Sequence, residues 1–264
     1  MNAAAPRLAS VDALRGITVA AMLLVNTPGD WGHVYAPLRH AAWHGCTLAD
    51  LVFPIFLFVV GVSLALSVVP RHEAGADRAH LSRAVLGRAL RIVAIGLLLH
   101  VLAWWALDQA VFRPWGVLQR IGLCFALAGL VALSLSPRMQ WLLCAGLLLG
   151  SAVLLVWGGM APGTNAFDRF DTALFAPGLY RYDAATGLGH DPEGLASTAG
   201  ALATTLLGLR AGAWLRAGRV QPRWPSPDSW RWASAVSGRG GCRSTSRCGR
   251  PAMCCGRAVL RCWR

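Results

Sequence analysis

Six stretches of this chain contain no Asp, Glu, Lys or Arg: Gly16–Gly29, Leu51–Pro70, Ile92–Leu107, Ile121–Pro137, Met139–Phe167 and Gly194–Leu209. About 20 apolar residues in a helix cross a bilayer core about 30 Å thick, so runs of this kind, repeated, specify an all-α, polytopic transmembrane bundle. Only 14% of residues are charged, against about 25% in soluble domains, which argues against a water-soluble enzyme. Hydropathy places spans near 14–29, 50–69, 89–107, 117–136, 140–159 and 195–215, about six in all. Ser136-Pro137 separates the fourth from the fifth, because proline cannot continue a helix. Gly194, Gly200 and the alanines between them give the last span small residues suited to close helix packing in lipid.

Arginine in the short loops sets the expected orientation. Arg71, Arg78, Arg83, Arg88 and Arg91 crowd one segment, with Arg138 in another and Arg216 beside a third. By the positive-inside rule these segments and the N-terminus are cytoplasmic, and loops 28–49, 108–116 and 160–194 face out. The last of these is acidic, holding Asp168, Asp171, Asp183, Asp191 and Glu193. Arg7 ahead of the first span resembles a signal-peptide start, but Asp12 and Arg15 interrupt the approach and no small-residue cleavage site follows, so the span is read as retained. The expected location is a bacterial inner (cytoplasmic) membrane, with the lipid bilayer as partner.

The net charge of +13 looks like a nucleic-acid signal until it is divided along the chain. Residues 1–218 hold 15 Arg against 11 acidic residues, a net +4, and residues 219–264 hold 10 Arg against Asp228 alone, a net +9. No nucleic-acid partner is therefore expected. The same segment, 219–264, carries Cys242, Cys248, Cys254, Cys255 and Cys262 without a helical period or a defensible zinc-ligand spacing. It reads as a basic, Cys-rich and disordered tail, apart from a membrane domain over 1–218.

The densest group of chemically useful residues lies in the first outer loop and its flanks: Asn26, His33, His40, Trp43, His44, Cys46, Thr47 and Asp50. Imidazole titrates near neutrality and serves as general base, acyl carrier or metal ligand, and Asp50 at a helix start is placed to orient one. A wet loop with interfacial Trp and His accounts for the same composition. His40 and His44 have i, i+4 spacing, but no Glu lies between them and no third ligand is evident, so no metal is expected. Ionisable residues within spans, Asp12 with Arg15, Arg88 with Arg91, and Arg120 beside Gln119, mark either a cavity or structural pairing and snorkelling. Asp191 and Glu193 open the last helix, where carboxylates favour the N-terminal dipole.

Longer motifs narrow these options. Ser10–Gly16 (SVDALRG), Met22–Gly29 (MLLVNTPG), His40–Ser63 (HAAWHGCTLADLVFPIFLFVVGVS), Gly116–Phe125 (GVLQRIGLCF) and Asp191–Leu195 (DPEGL) resemble the membrane acyltransferases related to heparan-alpha-glucosaminide N-acetyltransferase. The resemblance runs from about Arg7 to Arg216 and covers the N-terminal part of that family's domain. It implies transfer of an acetyl group from cytoplasmic acetyl-CoA to an amino sugar or envelope glycan. It further implies His40 as the catalytic histidine and Asn26 as its polar neighbour, with Asp50 as orienter. Both an acetylated His40 and direct transfer with His40 as base fit that role. His44 stands where the family usually has Asn. Readings from other classes are a transporter of a sugar or lipid-linked substrate without covalent chemistry, and an inactive truncated remnant.

The tail gains a further expectation from the genetic code. Gly241–Arg264 can be back-translated with synonymous codons whose reading two nucleotides later gives LPLNKSLWTSSYVLWTGGATLLA, which looks like the family's next motif. Residues from about 219 onward are accordingly expected to be a frameshifted reading.

Overall fold

A computed structural model describes residues 9–43 and 45–218; the expectation of a disordered, frameshifted tail falls outside them, as does His44. The described chain is mostly helical: α1 (Ala9–Asn26), α2 (Leu48–Ser67), α3 (Val69–Glu73), α4 (Arg78–Ala106), α5 (Val117–Ser134), α6 (Pro137–Gly158), α7 (Ala166–Phe175) and α8 (Thr198–Arg216). A two-stranded hairpin, β1 (Arg181–Asp183) and β2 (Leu188–His190), lies between α7 and α8.

Five of the described helical segments are long and apolar enough to cross a membrane: α1, α2 continued through α3, α4, α5 and α6. The expected sixth span exists as the 19-residue α8 but is not among the five. The reason lies in its surroundings. α8 packs against α2, α5 and α6, and Leu202, Ala203, Thr205, Leu206 and Leu209 are buried there, so little of it faces lipid and its threonines and Arg210 are tolerated. α1, α4 and α6 lie outside this centre and leave apolar side chains uncovered along their length, among them Ile17, Leu90 and Leu149. Those faces are what a bilayer solvates.

Local signals explain the boundaries. Ser136 caps α6 by accepting from Met139 N, and Pro137 occupies the first helical position, where a missing N–H costs nothing. α4 begins 11 residues before the hydropathy boundary at 89, because Asp77 accepts from Ala79 N and His80 N and starts the helix among arginines. Arg83, Arg88 and Arg91 stay exposed on that helix, with stems free to run toward the polar end.

Polar contacts between the long helices collect at two ends. At one end Arg216 pairs with Glu73 at 2.6 Å, Arg78 donates to Ser134 at 2.6 Å, and Arg15 donates to Ser63 at 2.8 Å. Trp141 and Trp214 pack there with ring centroids 5.8 Å apart, and Trp104, Trp105 and Trp157 stand exposed toward the other, the distribution of an aromatic belt. The second end gathers the segments 27–47, 107–116 and 159–197. The last is no simple loop, since it holds α7 and the hairpin.

The closest helix contact is α2 on α8. A Cβ on Gly61 would come within 2.0 Å of Thr205 O, one on Gly208 within 2.0 Å of Phe58 O, and one on Gly212 within 2.7 Å of the Ala65 Cβ. Small residues bring the backbones together, but at Gly208 and Gly212. Gly200 faces open space.

Candidate functional site

The site is built on the start of α2. Thr47 is the N-cap and Asp50 the third helical residue, and the Asp50 carboxylate turns back to accept from Thr47 N at 2.9 Å and Thr47 Oγ1 at 3.0 Å, both on Oδ2. A carboxylate in this position satisfies amide groups that the helix leaves unpaired. Oδ2 also accepts from Ala41 N at 3.2 Å, while Oδ1 meets His40 Nδ1 at 2.7 Å. One side chain therefore ends the loop, starts the helix and holds the imidazole. Pro54, inside α2, cannot donate to the Asp50 carbonyl four residues back.

This geometry assigns the atoms. Nδ1 faces the carboxylate, and no hydrogen bond among the described residues engages Nε2; a carboxylate in this position fixes the tautomer and orientation of an imidazole. The His40 side chain is 48% exposed and that of Asp50 27%, so the imidazole is the more open of the pair and the carboxylate the more sheltered.

Asn26 is placed differently. It ends α1, whose Ala21, Met22 and Val25 pack against Ala49 and Val52 of α2 and against Leu38, so the two helix ends are close. Its Nδ2, however, donates to Met22 O at 2.9 Å within its own helix, and among the described residues no hydrogen bond joins it to His40 or Asp50. His33 pairs with Asp30 at 2.5 Å on an exposed turn, where hydrogen bonds from the imidazole and from Gly32 N hold the Asp30 carboxyl below its ordinary range.

Around the site stand Trp43, named from the sequence in the first outer loop, and several residues that sequence reasoning did not place there. Trp43, three positions after His40, donates from Nε1 to Met160 O at 2.8 Å and meets the His190 ring edge-on at 5.2 Å. His190 Nδ1 lies 2.9 Å from Asp168 Oδ1, a second imidazole held by a buried carboxylate. Asp168 also accepts from Gly163 N at 2.7 Å and Asn165 Nδ2 at 2.6 Å. Arg113 clamps Asp191, with contacts of 3.0 and 2.5 Å, and Glu193 at 2.6 Å.

Those contacts correct the reading of Asp191 and Glu193 as dipole-stabilised residues at a helix start. Asp191 is buried beneath Arg113 and accepts from Tyr180 N, and its role is to join the α4–α5 connection to the segment leading into α8. Asp171 instead supplies the carboxylate at that turn, accepting from Ala196 N at 3.1 Å, and burial pushes its carboxyl up. Arg120 is a structural partner: it donates to Gly194 O at 2.9 Å and to Ser197 Oγ. Asp12 and Arg15 form an ion pair at 3.2 Å near the start of α1, half exposed. Among the described residues no group of three or more His, Cys, Asp or Glu side chains is placed to hold a metal ion.

Comparison with known proteins agrees with these motifs. Residues 7–178 match the family described as heparan-alpha-glucosaminide N-acetyltransferase, catalytic. The human heparan-alpha-glucosaminide N-acetyltransferase is 29% identical over 266 aligned residues, covering 80% of this chain and 39% of that protein. The mouse protein of the same name is 34% identical over 131 residues, covering 47% of this chain and 19% of its own length. The chain thus spans about two-fifths of the human relative's length. A match across more than half of the described helices, carrying His40, Asp50 and the α2 start with it, places this chain in the heparan-alpha-glucosaminide N-acetyltransferase catalytic family.

Proposed function

We propose that the chain is the His40-bearing part of a membrane acetyltransferase that moves an acetyl group from acetyl-CoA to an amino sugar or envelope glycan. The observation that carries this reading is the 2.7 Å contact of His40 Nδ1 with an Asp50 carboxylate whose other oxygen is fixed by three donors. Oriented in this way, Nε2 has two courses available. It can attack the thioester carbonyl, releasing the CoA thiolate and leaving acetyl-imidazole that the amine then cleaves, or it can take the amine's proton as the amine attacks the thioester directly. Both courses use the same atom. Asn26, at the adjoining end of α1, is the nearby amide assigned to hydrogen-bond the reacting carbonyl once substrate displaces its bond to Met22. The test is transfer of radiolabel from acetyl-CoA to glucosamine in membranes expressing the full-length, in-frame gene product, with acid-quenched samples examined for labelled protein.

The reading requires the His40 end to face away from the cytoplasm, with the thioester of the cytoplasmic donor reaching that end through the bundle, in a bacterial inner membrane. Cysteine introduced at Asn165 is expected to react with an impermeant thiol reagent in intact cells, and cysteine at Gly75 only after the cells are opened. The reverse pattern would remove the topology and with it the placement of His40.

Residues 219–264 belong to the same proposal as a frameshifted reading of family sequence, so their +9 charge and five cysteines carry no binding role. Sequencing the gene decides this. The codons for Gly241–Arg264, read two nucleotides later, are expected to give LPLNKSLWTSSYVLWTGGATLLA and to continue into apolar spans; stop codons in that frame would make the tail a genuine element.

A further inference from the structure

The connection from α1 to α2 carries His40 with little burial to hold it: Arg39, His40, Ala42, Trp43, Gly45 and Cys46 are all exposed. A stretch with few buried contacts keeps its place through specific bonds. Beyond the adjoining residue, hydrogen bonds from 40–46 go to two places among the described residues. One is Asp50, which meets His40 Nδ1 at 2.7 Å and accepts from Ala41 N at 3.2 Å. The other is Met160 O, which accepts from Trp43 Nε1 at 2.8 Å across 117 positions of sequence. The Trp43 indole also meets the His190 ring edge-on, with centroids 5.2 Å apart, a favoured geometry for a ring pair.

Both partners of Trp43 trace back to one carboxylate. The Asp168 side chain is buried, and its Oδ1 lies 2.9 Å from His190 Nδ1, which sets how that ring is presented. Its Oδ2 accepts from Gly163 N at 2.7 Å and from Asn165 Nδ2 at 2.6 Å, and the same Asn165 amide donates to Ala161 O at 3.2 Å. These bonds close the turn between α6 and α7, in which Gly159 and Gly163 take φ of +89 and +78. Met160 O is presented from that turn. Asp168 thus does for Trp43 what Asp50 does for His40.

A single contact at Nδ1 sets the distance of the His40 ring from Asp50 but leaves the ring able to pivot about it. The direction of Nε2 therefore depends on where the backbone is held on either side. Trp43 follows three residues later, and three residues span at most about 10 Å, so a displacement of the indole is passed to His40. We propose that Trp43 is a strut that fixes the His40 segment, and that His190, steadied by Asp168, is a positioning residue acting through it. The proposal rests on the acetyltransferase reading only for what His40 does; the strut itself is measured without turnover.

The experiment is limited trypsin proteolysis of the full-length, in-frame gene product in lipid nanodiscs, with neither acetyl donor nor acceptor present. Cleavage of the exposed Arg39–His40 bond is followed by mass spectrometry, because it reports local opening of this segment. Trp43→Ala is expected to speed that cleavage about tenfold, with thermal unfolding unchanged, since the indole is partly exposed. His190→Gln keeps a donor for Asp168 but has no ring, and is expected to speed it about fivefold. Trp43→Phe keeps a ring against His190, loses the bond to Met160 O, and is expected to fall between Trp43→Ala and the parent. Cleavage unaltered by Trp43→Ala, or faster only in step with a lower unfolding temperature, overturns the strut. Faster cleavage without that drop, in a protein that transfers no acetyl group, supports the strut and removes the catalytic reading.

In an active preparation, kcat is expected to fall about tenfold in Trp43→Ala and about fivefold in His190→Gln, with both KM values held within about twofold. The double variant is expected to be no slower than Trp43→Ala, because one path carries both effects. Losses that multiply would make His190 act independently of Trp43 and overturn its positioning role. An unchanged kcat in Trp43→Ala, despite faster cleavage, would separate the strut from His40 and overturn the proposal as well.

Discussion

Replacing His40 with Ala is expected to abolish acetyl transfer, by about 10³-fold or more, with membrane insertion and thermal unfolding unchanged. Removal of a group that carries or abstracts at the reacting centre costs on this scale, and the half-exposed His40 ring adds little to the packing of the bundle. Asp50 offers a sharper dissection, because its carboxylate has two duties. Asp50→Asn removes the anion facing Nδ1 and also weakens the start of α2. Thr47→Val removes the Oγ1 contact with Asp50 Oδ2 but leaves the 2.7 Å pair with His40 intact. The loss of a cap costs about 1 kcal/mol in stability. If orientation of the imidazole is what Asp50 supplies, Thr47→Val lowers stability with the rate nearly preserved, and Asp50→Asn lowers the rate by about 10²-fold or more. The assay is labelled acetyl-CoA with glucosamine, in the full-length, in-frame gene product. A His40→Ala enzyme that acetylates at the normal rate would overturn the assignment.

Asp50 also shows why part of this site was legible. Thr47-Leu48-Ala49-Asp50 has the spacing of a helix start in which the third residue reaches back to the cap. A helix start just after a histidine-rich loop puts that carboxylate within reach of the loop, and His40 is what it reaches. The other contacts are not local. Arg113 and Asp191 stand 78 positions apart, His190 and Asp168 22 apart, and no periodicity relates them. They come together because the connections of antiparallel helices return to one end of the bundle. Trp43 carries an ambiguous signal, since tryptophan at a membrane boundary needs no partner; only its contacts with Met160 and His190 tie it to the site.

Hydropathy located the spans for the same reason that it misplaced some of their edges. It measures what lipid accepts, and helices extend beyond lipid. α4 runs through Arg83, Arg88 and Arg91 because Asp77 caps it and arginine is a good helix former. α8 is less apolar than a lipid-facing span because its neighbours are α2, α5 and α6. The central helix of the bundle is therefore the one that hydropathy describes least well, and its small residues define where it can be approached.

That approach is the basis of the largest expected structural effect. The α2–α8 contact is expected to fail in Gly208→Leu, with a loss of several kcal/mol in stability. A Cβ at Gly208 would fall 2.0 Å from Phe58 O and 2.8 Å from Phe58 C. These are backbone atoms of a helix and cannot rotate away as a side chain does. The helices must separate instead, and a core overfilled by even a methylene or two loses about 1–3 kcal/mol. Separation also strips contacts from Leu57, Leu64, Leu206 and Leu209, all fully buried in the same core. Gly200→Leu, on the same helix but with nothing within 4 Å of its added Cβ, is the matched control. It carries the same change in helix propensity and the same added volume without the clash. The measurement is thermal unfolding of the two variants in one detergent, with cross-linking of cysteines placed on α2 and α8 as the readout of helix separation. Gly208→Leu should unfold many degrees lower and lose the cross-link, and Gly200→Leu should stay close to the parent. Equal behaviour of the two variants would mean that α2 and α8 do not approach at Gly208. Because α2 carries Asp50 at its other end, a chain that loses this contact also loses the support that holds His40 in place, and its activity should fall with its stability rather than independently of it.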